Sequence, residues 1–244
     1  MSKSDSDERA QFYDDYVLRE QGDLREDRIR KIIGALPARI DAVLDIGCGR
    51  GTLLHIIRER FGAVRLVGVD VAPETPSHLS AIGMEGYAAD ASAGLKFETG
   101  SFDVVVCGEV IEHVVDTDGL VSEILRVLKP GGVMVLTTPN LAYALNRVIL
   151  FMGLQPLFTE TSLRVNMGRR WRTLGQGGPV QGHLKVFTIG ALRELVAACG
   201  FVGVQIQGYR FFQAGVLGWL DRLFATKSSL GAGFVLVARK GTDA

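Results

Sequence analysis

The chain has 244 residues, 47% of them hydrophobic and 22% charged, which is the length and composition of a globular protein with a sizeable core. Lys plus Arg and Asp plus Glu both number 27, so no global field draws the molecule to nucleic acid or to an anionic membrane. The three cysteines, Cys48, Cys107 and Cys199, are far apart and lack CxxC spacing; this argues against a disulfide framework or a zinc site and fits a reducing cytoplasm.

Residues 1–10 form a polar tail without the apolar stretch of a signal peptide. The following segment, QFYDDYVLREQGDLREDRIRKIIGAL, sets Ile29, Ile32, Ile33 and Leu36 at helical spacing and delivers the chain to a first strand, AVLDIG. Apolar runs then alternate with helical patterns. TLLHIIRERF reads as helix, LVGVDVA as strand, HLSAIG as a short helix, GYAADA and FDVVVCGEV as strands, DGLVSEILRVL as helix and GVMVLTTPN as strand. Strands of continuous Val, Ile and Leu are buried on both faces, and their alternation with helices predicts parallel βαβ units in a doubly wound α/β sheet.

After Asn140 the rhythm breaks. LAYALNRVILFMGL is helical in period, whereas RVNMGRRWRTLGQGGPVQGHLKVF is rich in Gly and Arg, which predicts a substrate lid inserted over about 141–187. Asn146, Arg147 and Pro156 interrupt the apolar stretch, leaving about 12 uncharged residues where a membrane span needs roughly 20, so no transmembrane helix is expected. The apolar side chains at 148–158 are read as core packing, with a lipid-linked acceptor or a partner chain as competing uses. TIGALRELVAACG is a helix ending at Gly200, and FVGVQIQG, VLGWLDRLF and GFVLVARK complete the chain as strand, helix and strand.

The turn DIGCGRG at 45–51 joins the first strand to a helix, where close backbone approach and free N–H groups make a ligand site. The dinucleotide fingerprint GxGxxG needs a glycine at position 52, but that residue is Thr52 and the third glycine is Gly51. Asp45 puts a carboxylate beside the turn, where it repels a pyrophosphate and favours a cation. S-adenosylmethionine carries an ammonium, a sulfonium and no phosphate, and so matches that sign. Asp70 closes the second strand about 20 residues after the turn, the place for a carboxylate that accepts both ribose hydroxyls. Asp90 has two readings, a partner for the adenine amine or the N-cap of a short helix.

Taken in order over residues 40–140, VLDIGCGRG, VGVD, AADAS, FDVVVCGEVIEHV and EILRVLKPGGVMVLTTPN resemble the motifs of class I S-adenosylmethionine-dependent methyltransferases. The resemblance is nearest to the branch of ubiquinone-biosynthesis O-methyltransferases and bacterial sugar or natural-product O-methyltransferases. It implies a Rossmann-like seven-stranded sheet with its last strand antiparallel, a single methyltransferase domain over 11–244, and cofactor and acceptor at the carboxyl edge. By the same resemblance Asp45, Gly47, Gly49 and Gly51 hold the methionine portion, with Cys48 in the same turn. Asp70 holds the ribose with Val71 beside it, Asp90 and Ala91 line the adenine, and Glu109 sits near the sulfur.

Methyl transfer is an in-line displacement at a carbon activated by positive sulfur, so the enzyme aligns the acceptor and, for a hydroxyl, takes its proton. The candidate bases are His113, whose imidazole titrates near neutrality, Glu112 beside it, and His183 in GGPVQGHLKVFT. Their competing roles are a loop-fixing Glu–His pair and a lid latch. Glu109, Glu112 and His113 also match the pattern Glu-x-x-Glu-His, which in the ubiquinone branch is associated with a divalent cation. Three ligands on so short a run need further oxygens, and no metal is expected. Asn140 and Tyr143 are candidates for contact with acceptor hydroxyls. Arg164, Arg169, Arg170 and Arg172 around Trp171 read first as a solvated lid face and second as a site for an anionic acceptor; the neutral total charge disfavours nucleic acid.

These readings predict a cytoplasmic enzyme that O-methylates a sugar, glycolipid or natural-product hydroxyl, with peripheral membrane contact allowed. The competing reading is a cofactor-binding accessory protein without turnover, because LREDRIRKII and the core after it also resemble the methionine-biosynthesis accessory proteins. A nicotinamide dehydrogenase is opposed by Asp45 and by the position of Gly51.

Overall fold

The computed structural model describes residues 24–62, 64–168, 180–212 and 215–242. The polar tail 1–10, the start of the first helical segment and the cluster Arg169, Arg170, Trp171 and Arg172 lie outside the described residues. Seven strands make one sheet: β1 (Ala42–Ile46), β2 (Arg65–Asp70), β3 (Glu85–Ala88), β4 (Phe102–Gly108), β5 (Leu128–Pro139), β6 (Phe201–Tyr209) and β7 (Gly233–Lys240). Their order is β3-β2-β1-β4-β5-β7-β6. β1 to β5 pair in parallel, whereas β7 runs antiparallel to both of its neighbours, as expected. The helices are α1 (Leu24–Ala35), α2 (Thr52–Phe61), α3 (Thr75–Ala81), α4 (Thr117–Val127), α5 (Ala144–Phe151), α6 (Ile189–Ala198) and α7 (Gly215–Phe224).

Side chains alternate across a strand, so the uninterrupted apolar runs must fill two cores. Leu44, Ile46, Val105, Cys107, Met134 and Leu136 meet Leu120, Val121 and Ile124 of α4 and Leu192 and Val196 of α6 on one face. Val43, Val104, Val106, Val133 and Val135 meet Ile32 and Ile33 of α1, Leu54 and Ile57 of α2, and Leu79 of α3 on the other. The sheet is therefore doubly wound. Its strand order reverses between β1 and β4, which opens the crevice at their carboxyl ends where α/β sheets bind ligands.

Two boundaries and one burial differ from the sequence reading, each for a local reason. β3 stops at Ala88, short of Asp90, because the Asp90 carboxylate accepts the Ser92 N–H at 2.9 Å and caps a 3-10 turn over Ala91–Ala93. β5 begins at Leu128 and not at Gly132: Phe102 pairs with Leu128 but Val104 with Val133, and Gly131, at φ 75°, lies in the bulge that absorbs the extra residues. The 148–158 segment is only partly core. Ile149 and Leu157 are buried, but α5 rests one face on the protein, so Val148, Leu150, Met152 and above all Phe151, 92% exposed, face outward. No helix among the described residues is long and apolar enough to cross a membrane.

Close packing of α3 on β3 depends on Gly86, where an added Cβ would lie 2.7 Å from the Thr75 carbonyl oxygen and 2.9 Å from Leu79 Cβ. Backbone cannot yield as a side-chain tip does. Gly86→Ala is expected to lower the unfolding free energy by about 1–3 kcal/mol, read as a lower urea midpoint at unchanged slope.

Candidate active site

The crevice is built first by the turn after β1. Gly47 and Cys48 both donate their N–H groups to the Val69 carbonyl, at 2.8 and 3.2 Å, which ties the turn to the end of β2. Gly47, Gly49 and Gly51 have φ of 73°, 51° and 80°, a region that costs an L side chain energy. A Cβ would also displace a neighbour, the Val110 Cγ2 methyl at Gly47 and the Leu79 Cδ2 methyl at Gly51. Asp70 at the end of β2 then accepts the Gly49 N–H on one oxygen (2.8 Å) and the Ala72 N–H on the other (3.1 Å). Val71, half exposed, follows it. Burial pushes the Cys48 and Cys107 thiols up, so neither is a thiolate near neutrality.

Asp45 is buried beneath this turn. Burial and the Asp70 charge push its carboxyl up to about 8, against the opposing pull of the Arg28 guanidinium. Arg28 comes from α1 and lies 3.4 Å from Glu109 Oε1. That oxygen also accepts hydrogen bonds from Thr137 Oγ1 (2.8 Å) and the Tyr209 hydroxyl (2.9 Å). Glu109 itself has φ 56°, unusual for a residue with a long side chain, and the strain is held at the carboxyl end of β4. Arg28, Thr137 and Tyr209 are pocket residues that the sequence reading did not single out. A signal for Arg28 was present, since it stands four residues before Ile32 and so shares the face that α1 buries.

The second half of the site joins two distant stretches. Ile111–His113 forms a 3-10 turn after β4, and the Glu112 carbonyl accepts the N–H groups of Leu184 and Lys185 at 2.8 and 3.0 Å. On the other side Glu160 gathers the N–H groups of Gln181, Gly182 and His183 at 2.6, 2.7 and 3.2 Å. His183 is thereby brought edge-on to His113, their ring centroids 4.9 Å apart. His113 Nδ1 lies 3.1 Å from the Gly182 carbonyl and His183 Nδ1 lies 2.7 Å from that of Phe158. Burial and the neighbouring His183 push the His113 imidazole down to about 4, which keeps it neutral at physiological pH. Glu112 is fully buried. Its Oε2 accepts from Thr138 Oγ1 at 3.0 Å, and its Oε1 has no hydrogen-bond partner. Burial, with the Glu109 charge added, pushes this carboxyl well up.

The crevice thus brings together Asp45, the glycine turn, Asp70 and Glu109, and beside them Glu112, His113 and His183. Ala91 is buried, but Asp90 is exposed and its Oδ1 caps the following turn. Asn140 and Tyr143 belong to packing. Asn140 is fully buried, donating to the Ser229 and Gly231 carbonyls and accepting from the Ala142 N–H. Tyr143 is buried against Asp221. Arg164 is exposed. Among the described residues, the side chains whose ligand atoms come together are Glu112, His113 and His183, which differ from the Glu109, Glu112 and His113 of the sequence pattern.

The model of a family described as a methyltransferase domain matches residues 8–206. A ubiquinone biosynthesis O-methyltransferase of Xanthomonas oryzae is 40% identical over 113 residues, 42% of this chain and 46% of the relative. The 2-methyl-6-phytyl-1,4-hydroquinone methyltransferase of Synechocystis is 35% identical over 106 residues, 40% of this chain and 32% of the relative. The chain spans less than half the length of these curated relatives. Among solved structures, a SAM-dependent methyltransferase of Archaeoglobus fulgidus superposes with a TM-score of 0.62 at 18% identity, over 94% of this chain and 100% of the other. Phosphoethanolamine N-methyltransferase 2 of Haemonchus contortus, in complex with S-adenosyl-L-methionine, gives 0.59 at 18% identity, over 88% of this chain and 53% of the other. The chain belongs to the methyltransferase-domain family and has the fold of class I S-adenosylmethionine-dependent methyltransferases.

Proposed function

We propose that the chain moves a methyl group from S-adenosylmethionine to a hydroxyl oxygen of a small acceptor. The observation that carries this reading is the cluster of buried Glu112 and His183 with the partly buried His113 at the carboxyl end of β4, beside the acid-bearing glycine turn. The donor side fits the cofactor's charges. Asp45 faces the ammonium, Asp70 accepts the ribose hydroxyls, and Arg28 is the cation for the methionine carboxylate. When bound, the cofactor supplies a carbon activated by positive sulfur. The chain's own task is then to orient the acceptor and to take up its proton on an imidazole of the His113 and His183 pair, the buried Glu112 carboxyl being held in its protonated form.

The acceptors carried forward from the sequence are sugar, glycolipid and natural-product hydroxyls. The names of the curated relatives add quinone-type ring hydroxyls. Exposed Val148, Leu150 and Phe151 support an apolar acceptor tail or a membrane surface near the 141–187 segment, which we read as the lid. Three free cysteines support a cytoplasmic setting. The His pair supports an enzyme over a binding accessory protein. The test is transfer of labelled methyl to a panel of phenolic, glycan and lipid-linked hydroxyls. His113→Ala and His183→Ala are each expected to lower kcat by about 100-fold at unchanged cofactor affinity. Full activity in both variants would remove the cluster from the chemistry, and cofactor binding without transfer to any hydroxyl would favour the accessory reading.

A further inference from the structure

We propose that Tyr209 and Thr137 are positioning residues that hold the Glu109 carboxylate against the donor's positive sulfur, and so set the preference for the charged methyl donor over its neutral product. This role rests on the methyltransferase reading and goes beyond it. S-adenosylmethionine and S-adenosylhomocysteine share the ammonium assigned to Asp45 and the ribose assigned to Asp70; they differ by one methyl group and one charge. A carboxylate beside the sulfur is the group that senses that difference. Sheet order sets the distance. β2, β1 and β4 are neighbours, so Asp70 at the end of β2 and Glu109 just past the end of β4 stand on either side of the glycine turn, two strand spacings or about 10 Å apart. A nucleoside with its ribose on Asp70 and its chain laid over that turn carries its sulfur toward Glu109. The residues flanking Glu109 lie against the turn, since a Cβ added at Gly47 would meet the Val110 Cγ2 methyl and lie 3.9 Å from the Gly108 carbonyl oxygen.

Thr137 holds Glu109 twice, accepting its N–H on the backbone carbonyl at 3.0 Å and donating the side-chain hydroxyl to Oε1 at 2.8 Å. Tyr209 donates to the same oxygen at 2.9 Å, and Arg28 lies 3.4 Å from it. All three side chains engage Oε1, and the ligand's sulfur is assigned to Oε2. These bonds also hold the backbone of Glu109 at φ 56°, which a long side chain does not adopt without support. Tyr209 itself has little freedom. Its carbonyl accepts the Ala232 N–H at 3.0 Å, it pairs with Gly233 of β7, and its ring lies over that glycine, where an added Cβ would meet the ring's Cζ and the hydroxyl oxygen. On one side of it the Gly208 carbonyl accepts from Lys31 Nζ, and on the other Arg210 Nε lies 3.7 Å from Asp27, so α1 clasps the end of β6. Burial, with the Glu109 charge added, pushes the Tyr209 phenol up, which keeps its proton available to Oε1.

The experiment is calorimetric titration of S-adenosylmethionine and S-adenosylhomocysteine into the full chain as wild type and as Tyr209→Phe, Thr137→Val and Glu109→Gln. Tyr209→Phe keeps the ring over Gly233 and Thr137→Val keeps the shape of a buried strand residue, so each removes one donor from Oε1 with little change of packing. Each is expected to weaken S-adenosylmethionine about tenfold and S-adenosylhomocysteine by less than about twofold, because one hydrogen bond to a charged group is lost and only the charged ligand feels it. Glu109→Gln should narrow the preference by at least as much. A role confined to the fold would weaken both ligands alike. Equal loss for the two ligands, no change in either, or the wild-type preference retained in Glu109→Gln would each overturn the assignment. Failure of the methyltransferase reading would appear separately, as a wild-type chain that takes up neither ligand.

Discussion

Asp70→Ala is expected to weaken S-adenosylmethionine binding by at least about 100-fold. The carboxylate has two tasks in this account. Its Oδ2 holds the Gly49 N–H and its Oδ1 the Ala72 N–H, so it fixes the glycine turn before any ligand arrives. Carboxylates have four acceptor positions, and those remaining are assigned to the two ribose hydroxyls. Hydrogen bonds to a charged group are worth about 1.5–3 kcal/mol each, so losing two removes about 3 kcal/mol or more, which is the stated factor. Asp70→Asn keeps one acceptor oxygen and should fall between the alanine variant and the wild type. Calorimetric titration of the three proteins measures this ordering. Equal affinity in all three would take Asp70 out of the pocket.

The second large effect is a pH dependence carried by Asp45. Its carboxyl stands at about 8 without ligand, so at pH 6 it is protonated. An ammonium placed beside it favours the ionised form, and binding therefore releases a proton. Affinity should rise close to tenfold per pH unit from about pH 5.5 to 7 and turn over near pH 8, where the ligand's own amino group, in the α-amino range of about 7.7–8.0, begins to lose its charge. Asp45→Asn should flatten the curve and hold it near the low-pH level of the wild type. The unliganded protein has the opposite requirement. A folded-state value raised above the ordinary 3.8 gives stability that is present below that value and lost as pH rises through about 8. Asp45→Asn is accordingly expected to unfold at higher urea than the wild type above pH 8, even as it binds cofactor more weakly. One substitution then separates pocket function from fold stability.

What could be read from the sequence follows the range of the interactions involved. β1, β4 and β5 were legible because strands with a core on each face must be apolar throughout, and the glycine turn was legible because its positive φ values disfavour any other residue. Asp45 and Asp70 were legible as charges at strand ends. Arg28, Thr137 and Tyr209 were not, because they converge on Glu109 from the N-terminal helix, β5 and β6, and that convergence depends on sheet order. His183 was a candidate from its local motif, yet its packing on His113 needs the Glu160 carboxylate to gather three N–H groups some 20 residues away. That long-range contact also changed the group able to ligate a metal, exchanging Glu109 for His183. The outward turn of Phe151 was hidden for a different reason: an apolar helix of eight residues does not reveal from its sequence which face finds the core.

The central claim is that the turn from Asp45 to Gly51, closed by Asp70, holds a cationic nucleoside and not a dinucleotide phosphate. Calorimetry of the wild-type chain against S-adenosylmethionine, S-adenosylhomocysteine and NAD measures it most directly. One equivalent of each of the first two, with no heat from NAD, is the predicted result; binding of NAD with neither of the others would contradict it.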